Sequence, residues 1–276
     1  MKAQIICSSI YPLTKFGTIG KVHSTFEHSL NISINSQLIN ISSFDDYLPC
    51  FGIHVSRDVL KLILSKIKTG DLVKIKNQMI KFYSSEGILT LDLSDFTIVS
   101  MRVCPFKNLP LEKLQSLKSS LENKKLIDQI GLDNNSELME IVDKLLEIDK
   151  SSFKDVSKWL VGRGKGLTPS GDDLLCGYSF ILWLCNVEAY SDLVSSINDR
   201  LDYTTDVSKS YLANSVAGVA NSKLYNLYMA LKSEKDADWN ALIDDILRIG
   251  HSSGKDMSYG IQLGISAILR KWENEK

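Results

Sequence analysis

β-branched residues are spread unevenly along this chain, and that asymmetry constrains its fold more than any other feature. Val, Ile and Thr number 27 in residues 1–105 but only 23 in the remaining 171. A branched Cβ restricts χ1 and favours the pleated surface of a sheet. The first 105 residues accordingly read as short strands between turn residues: Ala3–Cys7, Phe26–Ile34, Gln37–Ile41, Leu72–Ile75, Met79–Tyr83, Ile88–Leu93 and Thr97–Val103. Leu30-Asn31-Ile32-Ser33-Ile34 alternates, which predicts a half-buried antiparallel strand. One helix interrupts the series, from an N-cap at Ser56 through Val59, Leu60, Ile63, Leu64 and Ile67.

Beyond Leu109 the apolar period becomes helical. Ser136 is placed to cap Glu137–Ile148, where Leu138, Ile141, Val142, Leu145 and Leu146 form a stripe. Further helices are expected near 111–123, 153–161, 171–187, 190–201, 206–232, 237–249 and 254–273. Strands followed by helices predict an α+β fold: a strand-rich sheet or small barrel over residues 1–105, then an α-helical domain over 106–276. Pro105 and Pro110 bracket the expected linker.

Charge and cysteine content narrow the function classes. Lys and Arg total 32 against 33 Asp and Glu, a net charge of −1. A general nucleic-acid binder needs a standing excess of basic residues, so that class is set aside. The balance is local as well as global, at +3 over residues 1–105 and −4 over the rest. Five scattered cysteines without a Cys-x-x-Cys point to a reducing cytoplasm and away from structural zinc. His23, His28 and His54 lack the spacing of metal ligands on a helix. The apolar start Ile5-Ile6-Cys7 is too short for a signal peptide, and the most apolar segment, Leu174–Val187, is too short to span a bilayer.

The residues that carry chemistry lie in Gly162-Arg163-Gly164-Lys165-Gly166-Leu167-Thr168-Pro169-Ser170-Gly171-Asp172-Asp173 and the helix that follows, which reaches Gly177. Five of the chain's 16 glycines fall between 162 and 177. The stretch is neither a Walker A loop, because Gly164-Lys165 is followed by Gly166, nor a Rossmann loop, because the third glycine comes one place early. It reads as a glycine loop feeding a helix start, with Ser170 as N-cap and Asp173 three residues on as its capping partner. Bare backbone beside unpaired N–H groups attracts phosphate or carboxylate; a tight structural connection between helices is the alternative.

A second segment repeats the pattern. In Gly250-His251-Ser252-Ser253-Gly254-Lys255-Asp256-Met257-Ser258-Tyr259-Gly260, Ser253 aligns with Ser170, Gly254 with Gly171, Asp256 with Asp173 and Gly260 with Gly177. A glycine inside a helix costs ~1 kcal/mol relative to alanine and commonly permits close backbone contact. The two helices are therefore expected to cross at Gly177 and Gly260 and to bring both starts to one anion-attracting pocket. In that pocket Ser252, Ser253 and Gly254 complement the first loop, and Asp173 and Asp256 serve as caps. Asp172, whose counterpart is Lys255, is left free to meet a substrate or a magnesium ion, unless it simply favours the helix dipole from solvent. His251 is the one histidine beyond residue 105 and is the proton-transfer candidate, against an ordinary loop histidine.

With Gly166–Asp173 and Gly250–Asp256 in this order, the sequence resembles a bacterial family that includes the AllH-type subunit of oxamate carbamoyltransferase. Gly17–Phe26 also looks like that family's opening region. The resemblance implies purine-nitrogen (allantoin) catabolism and reversible carbamoyl transfer: oxalurate plus phosphate gives oxamate plus carbamoyl phosphate, in an assembly with two other subunits. It implies anion binding by Gly164, Gly166 and Gly171, ligand orientation by Thr168 and Ser170, and polarisation or proton transfer by His251. It calls for no cofactor. Two other readings stay open: a non-catalytic assembly or regulatory subunit that binds a small anion, and a phosphotransferase with magnesium on Asp172.

Overall fold

The β-branched part of the chain forms strands too short to stand alone, and they pair into one sheet. The computed structural model describes residues 4–108 and 110–274, and the chain divides between Arg102 and Val103 into two compact units. The first holds strands β1 (Ile5–Cys7), β2 (Ile19–Phe26), β3 (Ser29–Ile34), β4 (Gln37–Ser42) and β5 (Gly52–His54), then helix α1 (Arg57–Leu64), then β6 (Leu72–Lys76), β7 (Met79–Ser84), β8 (Gly87–Asp92) and β9 (Thr97–Val99). They form a curled, open sheet in the order β8-β7-β6-β2-β3-β4-β5-β1-β9. Pairing is antiparallel except between β4 and β5 and between β1 and β9. Asn35-Ser36 and Asn77-Gln78 close two of the hairpins with positive φ at both positions, as tight hairpins with the sheet's right-handed twist require.

Three differences from the sequence reading have physical causes. The expected strand Phe26–Ile34 is two strands, because Glu27 and His28 form the turn between β2 and β3. β5 is only three residues long, too short for alternation to reveal. β3 is buried on both faces rather than one: Leu30, Ile32 and Ile34 lie on the apolar face, while Ser29 and Asn31 on the other are buried too. On the second face three side chains bond one another, while Asn40 Oδ1 and Ser42 Oγ have no partner among the described residues. Ser24, Asn31 and Asn40 stand in register on β2, β3 and β4. Asn40 donates to Asn31 Oδ1 at 2.9 Å, and Asn31 donates to Ser24 Oγ at 3.0 Å.

The second unit holds α2 (Leu111–Glu122), α3 (Ser136–Glu147), α4 (Phe153–Leu160), α5 (Ser170–Leu184), α6 (Tyr190–Asn198), α7 (Asp206–Val216), α8 (Ser222–Lys232), α9 (Trp239–Leu247) and α10 (Ser253–Asn274). Its start is anchored early: the Val103 amide donates to Gly218 O, and the Phe106 amide donates to Leu184 O. Residues 103–106 are thus tied to this unit instead of forming a free linker. Asn135, not Ser136, caps α3, its side chain accepting from the Leu138 amide at 2.9 Å. The single helix expected over 206–232 is broken into α7 and α8. Gly218 adopts φ +73 between them, where a Cβ would stand 2.9 Å from the Trp183 indole nitrogen.

α5 is the hub of this unit. All its residues except Trp183 are buried, the pattern of a helix surrounded by others. Among the described residues, no helix is long and apolar enough to cross a membrane.

Candidate active site at the crossed helix starts

α5 and α10 approach through glycine. A Cβ on Gly177 would stand 2.0 Å from the Met257 carbonyl oxygen, and one on Gly260 would stand 2.0 Å from that of Leu174. Gly264 continues the contact, with Ile181 Cβ at 2.8 Å. Neither backbone can retreat, so bare Cα atoms set the spacing. The crossing expected from the repeated spacing is therefore present, and it brings the two helix starts together.

Each start is built the same way. The Pro169 carbonyl accepts the amides of Asp172 and Asp173, and the Ser252 carbonyl accepts those of Lys255 and Asp256. The Gly171 amide donates to Arg163 O at 2.8 Å, and the Gly254 amide donates to Ile249 O at 2.9 Å. Gly171 and Gly254 are glycines because a carbonyl of the preceding segment, Leu160 O or Ile246 O, would stand 2.1 Å from a Cβ.

This geometry corrects the capping assignment by one residue. Pro169 occupies the N-cap of α5, with no side-chain bond, and Ser170 is the first helical residue. Proline supplies a carbonyl there and has no N–H to leave unpaired. Asp173 and Asp256 are consequently not caps of their own helices; they reach across. Hydroxyls of Ser253 and Thr168 favour the ionised form of Asp173. The Gly131 amide and the hydroxyls of Ser170 and Ser252 do the same for Asp256. The serine opening each helix thus serves the aspartate of the other. Thr168 Oγ1 and Ser253 Oγ, 2.8 Å apart, tie the two starts at the rim.

Burial opposes ionisation at both carboxyls. Asp173 is 3% exposed and Asp256 is fully buried. Desolvation is the largest influence on Asp173 and, with the neighbouring charges of Asp256 and Asp172, pushes it up to about 8. Asp256 is raised as well, chiefly by burial. Oδ2 of each has no hydrogen-bond partner among the described residues, an unusual state for buried polar atoms.

Asp172 is engaged elsewhere. Its Oδ1 accepts the Gly162 amide at 2.9 Å, and its Oδ2 accepts the hydroxyls of Ser208, at 2.6 Å, and Thr204. It is 1% exposed. The expectation that Asp172 is free to meet a ligand gives way to a clamp between the glycine loop and the start of α7. Thr205 completes the clamp by donating to Leu167 O while accepting the Ser208 amide. For magnesium, Asp172 offers oxygens already taken by three protein donors. Among the described residues, no group of three or more His, Cys, Asp or Glu is placed to hold a metal ion.

The remaining candidates are spread around the crossing. Thr168, Ser252 and Ser253 are half-buried at its rim, and Ser170 is buried beneath. Gly164 lies against the Ser170 amide nitrogen, 2.5 Å from where its Cβ would be, whereas Gly166 is exposed with open space around it. The amides of Gly171 and Gly254 are taken by backbone carbonyls, which removes two of the expected anion donors. His251 is exposed, with no hydrogen-bond partner among the described residues. Sequence reasoning missed Gly131. Its amide donates to Asp256 Oδ1 at 2.7 Å, and a Cβ there would stand 2.2 Å from Ser170 Oγ. It lies outside both repeated segments, and no local pattern marks it.

Residues 160–265 match the family model described as oxamate carbamoyltransferase subunit AllH. Residues 2–98 match the model described as the AllH family N-terminal domain. No solved structure matches the chain.

Proposed function

The chain belongs to the AllH family of oxamate carbamoyltransferase subunits, and from that premise we propose that the crossed helix starts hold substrate in a multi-subunit carbamoyltransferase. The reaction is oxalurate plus phosphate to oxamate plus carbamoyl phosphate, in purine-nitrogen catabolism, with two companion subunits in the cytoplasm. The observation that carries the reading is the reciprocal exchange in which Ser170 serves Asp256 and Ser253 serves Asp173. It joins the two repeated stretches, Gly166–Asp173 and Gly250–Asp256, into one polar centre within an apolar core.

Carbamoyl transfer between phosphate and an amide nitrogen passes through a tetrahedral carbamoyl centre and needs no protein nucleophile. Fixed geometry and preplaced donors account for most of such a rate. In this reading the hydroxyls of Thr168, Ser170, Ser252 and Ser253 hold Asp173 and Asp256 in place and orient the ligand through them. The backbone of Gly164 and Gly166 meets its anionic end, and Gly171 and Gly254 supply close packing instead of amide donors. His251, at the exposed lip, polarises the carbamoyl oxygen or moves a proton. Asp172 is a positioning residue that fixes the loop, and no metal or cofactor is assigned a step.

The test is reconstitution with the companion subunits, following carbamoyl phosphate formation. Ser170→Ala is expected to lower turnover about 100-fold and His251→Ala about 10-fold or more. Near wild-type rates in both variants would remove the catalytic assignment and leave the non-catalytic, anion-binding subunit as the reading that stands.

A further inference from the structure

The two orphan carboxyl oxygens, Asp173 Oδ2 and Asp256 Oδ2, belong to different helices and sit at the same crossing. Their side chains are more than nine-tenths buried, so solvent does not supply the missing partners. Protein donors nearby are already committed: the Gly131 amide to Asp256 Oδ1, and the hydroxyls of Thr168, Ser170, Ser252 and Ser253 within the same network. Among the described residues, the proton on Asp173 is then the one donor left between the two carboxyl groups.

We infer that this crossing receives the neutral amide or ureido end of the substrate, whose N–H groups are accepted by the unpartnered oxygens of Asp173 and Asp256. This rests on the site proposed above and assigns the end of the ligand that enters it. A carboxylate brings oxygens and negative charge but no donor, so it would leave Asp256 Oδ2 unpaired. A primary amide brings two donors and one acceptor. The Asp173 carboxyl, pushed up to about 8 by burial, carries a proton at neutral pH and supplies a donor for that acceptor. The anionic end of the same substrate then points outward, towards Gly164 and Gly166 on the exposed loop.

Oxamate and oxalate test the inference, because they are close in shape and differ in an amide nitrogen against a carboxylate oxygen. Binding of each is measured by calorimetry on the chain assembled with its companion subunits, with the free chain in parallel. Wild type is expected to prefer oxamate by roughly 100-fold or more, the discrimination of a site whose buried polar groups require a donor. Asp256→Asn and Asp173→Asn, close in volume, are each expected to cut that preference at least about 10-fold, with circular dichroism confirming the fold. Oxalate binding within about threefold of oxamate, a preference that survives both substitutions, or binding of neither probe would overturn the inference. If one variant fails to fold, the other variant and the wild-type comparison still decide it. Turnover in Ser170→Ala separates the outcomes: if it is lost while oxalate competes equally, the donor assignment falls alone, and if it persists, the site itself falls.

Discussion

Asp173 makes a stability prediction of definite sign. Its folded value of about 8 lies above the ordinary 3.8, so the folded chain holds a proton there that the unfolded chain releases. The group's contribution is complete below about pH 4 and is lost as pH rises towards 8, at up to about 1.4 kcal/mol per unit. Asp173→Asn, permanently neutral, is expected to flatten the fall in Tm between pH 5.5 and 8.5. Equal pH slopes in wild type and variant would show that Asp173 ionises normally. The glycines at the crossing make a steric prediction. Gly177→Ala or Gly260→Ala drives a methyl to 2.0 Å from a carbonyl oxygen and is expected to cost about 3 kcal/mol or more. At Gly166 the space is open and only the positive φ opposes a side chain; that substitution costs about 1 kcal/mol, and chemical denaturation ranks the three. Gly131→Ala separates activity from stability. Its methyl meets the end of a small side chain that can rotate away, so turnover falls while Tm changes little.

At the scale of elements, the repeated Ser-Gly-x-Asp spacing made the meeting of α5 and α10 legible in the sequence. The repeat encodes two equivalent helix starts and two bare contact points. The roles of the carboxylates were not legible. A capping box and a cross-helix exchange use the same residues, and only the partner helix decides between them. Asp172 illustrates the difference, because its partners Thr204 and Ser208 lie more than thirty residues away at the start of α7. Asp172→Asn keeps the shape but forces a donor among donors. It is expected to cost about 1–3 kcal/mol, and Thr204→Ala combined with Ser208→Ala should lower Tm similarly in differential scanning calorimetry. Losses that add fully in the triple variant would argue against a shared clamp. In the sheet, alternation marked most strands; β2 was missed over Ile19–Thr25, where its burial is irregular and a bulge falls between Val22 and Ser24. The break between α7 and α8 was hidden because apolar periodicity resumes after Gly218.

For the whole molecule, opposite net charges on the two units mean that long-range attraction does not bring an anion to the helical one, at −4 beyond residue 105. Affinity there must come from local groups. Each unit also has its own buried apolar residues, with Val22, Leu30, Ile32 and Val73 in the first and Leu114, Phe153, Leu174 and Leu227 in the second. Residues 103–276 expressed alone are expected to give a helical spectrum and one cooperative thermal transition, and a gradual melt would refute that independence.

The dependence of α5 on α10 has a further consequence while the chain is being made. Beyond Asp173, α5 is largely apolar and buried on nearly every side, and its main partner is α10, so the 90 residues after Leu184, as far as Asn274, must follow before the pair is complete. At ordinary translation speeds that interval is roughly 5–18 s. Throughout it the nascent chain carries a sticky, half-clothed helix outside the ribosome. A premature stop before Ser253 would therefore remove more than a terminus. It would leave the centre of the helical unit permanently exposed, a substrate for chaperones and proteases instead of a shortened subunit.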